Sequence, residues 1–275
     1  MRTRVFELDF GAVRKGFRMA ASTYDEAAGL QHRIESDLIE RLSLLDLRPQ
    51  WILDLGCGTG HAIPSLARQY PQACIIGIDA AFEMLHWKQA HPDRRSEALC
   101  ADVRALPIAP SSVDLAFSNL LLQWLDDPGP AVSEIYRVLA DRSAFLFATF
   151  GPRTFAELRG AWAEVDSDPH VSEFMDGPAW GNVLMRAGFV EVVLDADVWV
   201  EEVLDLKTLA GHLRQIGATN RHVHRARGLL GRKRLTTLTR AYERLRRPGG
   251  GLPVTYEMLY GLAWTPLRLT RVSGA

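Results

Sequence analysis

The segment Trp51-Ile52-Leu53-Asp54-Leu55-Gly56-Cys57-Gly58-Thr59-Gly60 constrains the fold more than any other ten residues of the chain. Its apolar run ending in Asp54 reads as a central parallel strand, and three glycines in five residues let the backbone turn sharply and approach a ligand closely. A dinucleotide fingerprint would place its third glycine one position later, where His61 stands, and would keep a carboxylate away from the cofactor's phosphates. Asp54 suits a ligand with a cationic ammonium or sulfonium and a hydroxylated ribose, a description that S-adenosylmethionine meets. The plain alternative is an ordinary strand-to-helix turn.

The rest of the first half repeats this strand-and-helix rhythm. Helix is expected over residues 61 to 69, then a buried strand Cys74–Asp79 whose terminal acid lies nineteen residues beyond Gly60, the spacing at which a carboxylate accepts from a ribose diol. A helix from Phe82 to Ala90 carries Met84, a candidate against an adenine ring and equally a core residue. A third strand, Ala98–Ala101, runs into Asp102 and Val103, placed to meet an adenine amino group and a ring nitrogen, with surface acid as the alternative. Val113–Asn119 is the fourth strand and leads into Leu120-Leu121-Leu122-Gln123-Trp124, where open α/β sheets put ligand-facing loops. A helix over 130 to 139 and a fifth strand, Ala144–Phe150, complete five βα repeats and a doubly wound sheet.

Both flanks depart from that rhythm. Residues 11 to 26 read as a helical preface, followed by a helix whose stripe Leu30, Ile34, Leu38, Leu42 and Leu45 should pack on the sheet. Phe17 and Tyr24 could fold across the cofactor mouth, although ring residues on helices are more often core. Beyond Gly151, helices are expected at 153 to 165 and 178 to 187, a strand at Val190 to Val200, a helical insertion over 202 to 250, and a last strand at Val254–Ala263 forming an antiparallel sheet edge. The expected organisation is therefore one domain over 1–275, with a preface or lid at 1–48 and the insertion before the last strand.

Charge narrows the partners. A formal net charge of -1 argues against wholesale nucleic-acid binding, yet between Arg221 and Arg247 ten Lys or Arg face a single acid, Glu243. A solvated helix face is the bland meaning of such a run. Cys57, Cys74 and Cys100 lie far apart without metal-site spacing, so no metal is expected and a reducing compartment fits. With no signal-peptide core at the amino end and no run of about 20 apolar residues, the expectation is a soluble cytoplasmic protein that neither spans nor binds membranes.

In order and spacing, Asp54, Gly56, Gly58, Gly60, Asp79 and Asp102 resemble the class I S-adenosylmethionine-dependent methyltransferases. The resemblance implies a seven-stranded, mostly parallel α/β sheet with an antiparallel last strand. It also implies a cofactor site of Phe17, Tyr24, Asp54, Gly56, Cys57, Gly58, Gly60, Asp79, Ala80, Met84, Asp102, Val103 and Asn119. The chain departs from the pattern at Ala140-Asp141-Arg142-Ser143, where the turn before the fifth strand usually carries glycines. Outside that core, four stretches together are similar to the malonyl-acyl-carrier-protein O-methyltransferases of biotin synthesis. They are Phe17–Tyr24 with Leu30-Gln31, Ser118-Asn119-Leu120 with Gln123-Trp124, Ile216-Gly217-Ala218, and Thr255-Tyr256-Glu257. Several of these also occur in a mitochondrial relative that hydroxylates an arginine during complex I assembly.

That resemblance implies methyl transfer to the free carboxylate of malonyl-acyl carrier protein. Such an acid, with an ordinary pKa of about 4, is already ionised at neutral pH and needs no general base. Positioning candidates are Arg18, Tyr24, Gln123, Trp124, Arg153, Arg221 and Tyr256, each with an alternative in packing or surface charge. The basic insertion, through Arg225, Arg227, Arg232, Lys233 and Arg234, would dock the acidic carrier. A methyltransferase for another carboxylate or a quinone ring, and a cofactor-binding assembly factor that transfers no methyl, are the rival readings.

Overall fold

The computed structural model describes residues 7–86, 95–225 and 231–268. Strands β1 (Trp51–Leu55), β2 (Cys74–Asp79), β3 (Ser96–Cys100), β4 (Val113–Asn119) and β5 (Leu139–Phe150) pair in parallel, and the seven-stranded sheet has the order β3-β2-β1-β4-β5-β7-β6. β6 (Val190–Val203) and β7 (Leu252–Trp264) complete it, β7 running antiparallel to both neighbours. The strand order reverses between β1 and β4, so the crevice for a ligand opens at the carboxyl ends of those two strands, above Asp54 and Asn119.

Helices cover both faces. α1 (Phe10–Ala20), α2 (Tyr24–Ala27) and α3 (Gly29–Ser43) precede the sheet. Ile34, Leu38 and Leu42 of α3 are wholly buried with Ile52 and Phe117, as the four-residue stripe requires. α4 (Ile63–Gln69) follows β1, and α5 (Gly129–Val138) buries Ala131, Val132, Ile135 and Val138 on the other face with Phe145 and Phe147. α6 (Ala156–Ala163), α7 (Gly177–Ala187), α8 (Leu206–Gln215) and α9 (Arg232–Glu243) complete the set. No helix among the described residues is long and apolar enough to cross a membrane.

The structure corrects three expectations. β7 is interior and β6 is the edge: β7 is buried over most of its length, whereas more than half of the positions on β6 are exposed. β5 begins at Leu139, so Ala140–Ser143 is no turn before the strand but a bulge within it. Val113 pairs with Leu139, Leu115 pairs with Ala144, and Arg142 takes φ 54°. In the segment from 202 onward, β6 runs on to Val203 and is followed by α8 and α9, with an irregular stretch around Gly217. Of the helix expected from Phe82 to Ala90, a 3-10 turn over Phe82–His86 is seen, and 87–90 lie outside the described residues.

The preface and the insertion are sewn together. Leu8 bridges His222 in antiparallel fashion, the Asp9 N–H donates to Arg221 O at 2.9 Å, and the Val223 N–H donates to Glu7 O at 2.9 Å. Thr23 Oγ1 donates to Gln215 O at 3.1 Å, and a Cβ on Gly217 would stand 2.9 Å from Gly16 O, so the two backbones are in direct contact.

Candidate active site

The glycine turn is built as its sequence demands. Gly56, Gly58 and Gly60 take φ of 70°, 52° and 74°, a region that costs a residue with a side chain roughly 1–2 kcal/mol. The Gly56 and Cys57 N–H groups donate to Ile78 O at 2.7 and 3.0 Å, which ties the turn to β2. The Gly58 N–H donates to Asp79 Oδ2 at 3.1 Å and the Ala81 N–H to Asp79 Oδ1 at 2.7 Å, fixing that carboxylate at the strand tip. Burial pushes the Asp79 carboxyl above the usual carboxylate range, and these N–H bonds pull against it.

Asp54 is 2% exposed, and its Oδ2 has no hydrogen-bond partner among the described residues. Burial, then the nearby charges of Glu35 and Asp79, raises its carboxyl well above the usual range. On the next strand, the Asn119 amide Nδ2 donates to Gln31 O at 3.1 Å while its Oδ1 is buried without a partner. Two acceptors unpaired among the described residues thus stand over adjacent strand ends, fit for a ligand that carries N–H groups and positive charge.

Two cavities meet there. A small one of about 80 Å³ is lined by Gly56, Gly58, Asp79, Ala80, Met84, Val103 and Asn119. A larger one of about 640 Å³ lies under α8 and is walled by Phe150, Phe155, Phe174, Leu209 and Tyr256. Phe17, Tyr24, Leu120 and Trp124 line both. The Phe17 ring stands edge-on to Trp124 at 5.2 Å and tilted to Tyr24 at 6.4 Å, so α1, α2 and the β4 loop share one aromatic partition. Burial, then the negative charges of Asp79, Glu35 and Asp25, holds the Tyr24 phenol in its neutral form by raising its pKa.

A methyltransferase domain family matches residues 53–147. A malonyl-acyl-carrier-protein O-methyltransferase of Halorhodospira halophila is 42% identical over 260 residues, covering 94% of this chain and 88% of its own. One from a Methylovorus species is 41% identical over 275 residues, covering 97% and 92%. The chain belongs to the malonyl-acyl-carrier-protein O-methyltransferase family. Among solved structures, the YcgJ protein of Bacillus subtilis aligns at TM-score 0.59 and 16% identity, covering 86% of this chain and all of that one. A Haemonchus contortus phosphoethanolamine N-methyltransferase in complex with S-adenosyl-L-methionine aligns at TM-score 0.55 and 15% identity, covering 90% and 57%. Both share the fold.

Within this O-methyltransferase, the residues expected at the cofactor gather at the small cavity, apart from Asp54, Asp102, Cys57 and Gly60; Asp54 is buried in β1 and lines neither cavity. Asp102 does not line it, because Arg104 takes both of its oxygens with Nε at 3.0 and 3.1 Å and Nη2 at 2.6 Å. Arg104 also stacks over Phe10 at 4.0 Å, which carries Asp102 toward α1. Cys57 is engaged through its backbone rather than facing the cavity, and Gly60 likewise lines neither cavity.

The positioning candidates divide more sharply. Tyr24, Gln123, Trp124 and Tyr256 line the large cavity, and Gln123 Oε1 accepts from Thr149 Oγ1 at 3.2 Å. Arg18, Arg153 and Arg221 do not reach it. Arg18 pairs with Glu83 at 2.6 Å, Arg153 with Glu257 at 3.2 Å, and the Arg221 guanidinium packs against Gly16. The imidazole and guanidinium groups that line it among the described residues are His170, His212 and Arg214, which reading the sequence missed because each becomes a neighbour of the site only through tertiary packing. A further group behind the glycine turn was also missed: His61 Nδ1 lies 2.6 Å from Glu35 Oε1, and its ring stacks on His32 at 3.6 Å.

The basic run is less free than its sequence implies. Arg244 pairs with Glu164, Arg246 with Glu243 at 2.7 Å, Arg247 with Glu202 at 3.3 Å, and Arg234 with Asp166 and Asp168. Arg225, Arg232, Lys233 and Arg240 make no ion pair among the described residues, and Arg227 lies outside them.

Proposed function

We propose that this enzyme transfers a methyl group from S-adenosylmethionine to the free carboxylate of a malonyl thioester carried on acyl carrier protein, the activity for which its relatives are named. The observation that carries the reading is the pair of cavities sharing one aromatic partition at the carboxyl end of β4, the arrangement that a direct transfer between two bound groups requires. Asp54 and Asn119 Oδ1 would hold the cofactor's ammonium, Asp79 its ribose hydroxyls, and Met84 and Val103 its adenine. The cofactor supplies an electrophilic methyl on a sulfonium. The chain supplies position and dryness: Phe17, Tyr24 and Trp124 exclude water, and Gln123 and Tyr256 present polar hydrogens to the acceptor. No residue is assigned as a base, because the acceptor is already an anion at neutral pH. We further propose that residues 1–48 and 202–250 act together as a roof over both cavities.

Docking of the carrier is assigned to Arg225, Arg232 and Lys233, and to Arg227, which lies outside the described residues. Cations at the first turn of α9 oppose the helix dipole by about 0.3–1 kcal/mol each, so helix stability is not their purpose. Labelled methyl transfer to malonyl and to acetyl carrier protein tests the chemistry: label in malonyl alone is expected, and equal labelling of both rejects the carboxylate as acceptor. Reversing Arg232 and Lys233 to Glu should lower kcat/KM for the carrier-bound substrate about tenfold at low salt, and far less for a short malonyl thioester. An unchanged rate and salt dependence would remove the docking surface from the proposal.

A further inference from the structure

His170 lines the large cavity from the segment between α6 and α7, and it is held there by more contacts than packing alone requires. Its ring stacks on Trp162 at 3.5 Å with planes 10° apart, and its side chain is 13% exposed. Its Nε2 lies 2.7 Å from Asp166 Oδ1. Asp166 also accepts from the Asp168 N–H at 2.8 Å and from Arg234 Nη2, and the same Arg234 nitrogen reaches Asp168 Oδ2 at 3.3 Å. Although burial opposes it, these bonds hold the Asp166 carboxyl at about 2, so it is an anion at neutral pH. Asp166, Asp168 and His170 offer atoms within 4.8 Å of one another, a spacing that a metal ion could use, but Arg234 already sits on both carboxylates.

The arrangement is therefore an imidazole fixed in orientation by an indole on its face and a carboxylate on one nitrogen, with its other nitrogen, Nδ1, making no hydrogen bond among the described residues. His212 and Arg214, which also line this cavity, are exposed, whereas His170 is largely buried. An anion that enters so apolar a cavity must find a donor inside it.

We propose that His170 is the substrate-recognition residue of the acceptor cavity. With its Nε2–H donating to the Asp166 anion, the ring in its imidazolium form donates its Nδ1–H to an oxygen of the free carboxylate of the malonyl thioester, while Asp166 and Arg234 act through it as positioning residues. Arg234 is thereby removed from the docking surface and becomes the anchor of the recognition side chain. This deepens the reading of the enzyme as a malonyl-thioester methyltransferase and rests on it.

The test compares His170→Phe, which keeps the stack on Trp162 but has no N–H, with His170→Gln, which restores a donor. Asp166→Asn is a third variant, and each is assayed on malonyl carrier protein and on a short malonyl thioester that lacks the carrier's phosphate. Wild-type transfer to malonyl but not acetyl substrates is the control: its absence would defeat the functional reading itself. Given that control, His170→Phe should raise KM about tenfold or more on both substrates, with the affinity for S-adenosylhomocysteine unchanged. His170→Gln should recover part of the loss, and Asp166→Asn should raise KM by about threefold to fivefold with a smaller change in kcat. A wild-type KM in His170→Phe overturns the proposal. So does a rise confined to the carrier-bound substrate, which would place His170 on the phosphate of the arm instead. Should His170→Phe not fold, the His170→Gln and Asp166→Asn pair decides in the same way: two unchanged KM values overturn it.

Discussion

Asp54→Asn is expected to weaken binding of S-adenosylhomocysteine about 100-fold and, at the same time, to make the unliganded protein more stable at neutral pH. The affinity loss follows from replacing a buried carboxylate by a neutral amide opposite an ammonium, where a hydrogen bond to a charged group contributes about 1.5–3 kcal/mol. The stability gain has the same origin. Asp54 Oδ2 has no partner among the described residues, and burial raises the carboxyl well above its unfolded value of about 3.9. A carboxyl raised in the folded state favours folding fully only below the unfolded pKa, and that contribution is lost as pH rises through the raised folded value. The unliganded wild type should therefore lose stability as pH climbs from about 4 toward neutrality through this group, and the Asn variant should lose less. Burial raises Asp79 and Glu35 as well, so they contribute to the wild-type slope and persist in the variant. Calorimetric titration and thermal unfolding across pH check both halves. Binding within threefold of wild type would sink the assignment of Asp54 to the ammonium.

The largest purely structural effect is expected at Gly261→Ala. Gly261 pairs directly with Phe147 across β5 and β7, and an added Cβ would lie 2.2 Å from Phe147 Cζ and 2.3 Å from Cε1. The ring cannot yield easily, because it is fully buried, stacked on Phe145 at 4.9 Å and against Trp180 at 5.4 Å. Overpacking of this kind costs about 1–3 kcal/mol, and this site belongs at the upper end. At roughly 2–4 °C per kcal/mol for a chain of this order, Tm should fall by several degrees or more. Phe147→Leu combined with Gly261→Ala should recover part of the loss, and strictly additive destabilisation in that double variant would show that the clash is not the cause.

What the sequence alone conveys follows the range of the interactions. The acid at the tip of β1, the glycines after it and the acid at the tip of β2 are readable because each is a strand end joined to its own turn, and their spacing is set within one βα unit. The β5 bulge was hidden, since nothing local says that Leu139 pairs with Val113. The places of β6 and β7 were hidden for a related reason: a strand between two neighbours and an edge strand can carry the same alternation. Charge was the least readable property. A run with one acid in its own sequence is paired in space by Glu164, Asp166, Asp168 and Glu202, and the arginines first assigned to the substrate are engaged elsewhere. His170 has no local signature at all, because its role depends on α9 delivering Arg234 to Asp166.

The bridge between Leu8 and His222 has a kinetic consequence. The amide protons of Asp9 and Val223 are held by acceptors on opposite sides of that bridge, some 200 residues apart in the chain. Neither can exchange with solvent deuterium unless both segments separate, so the two should report one opening event with one rate and one denaturant slope. A ligand bound beneath either segment should then slow exchange in the other as much as in its own.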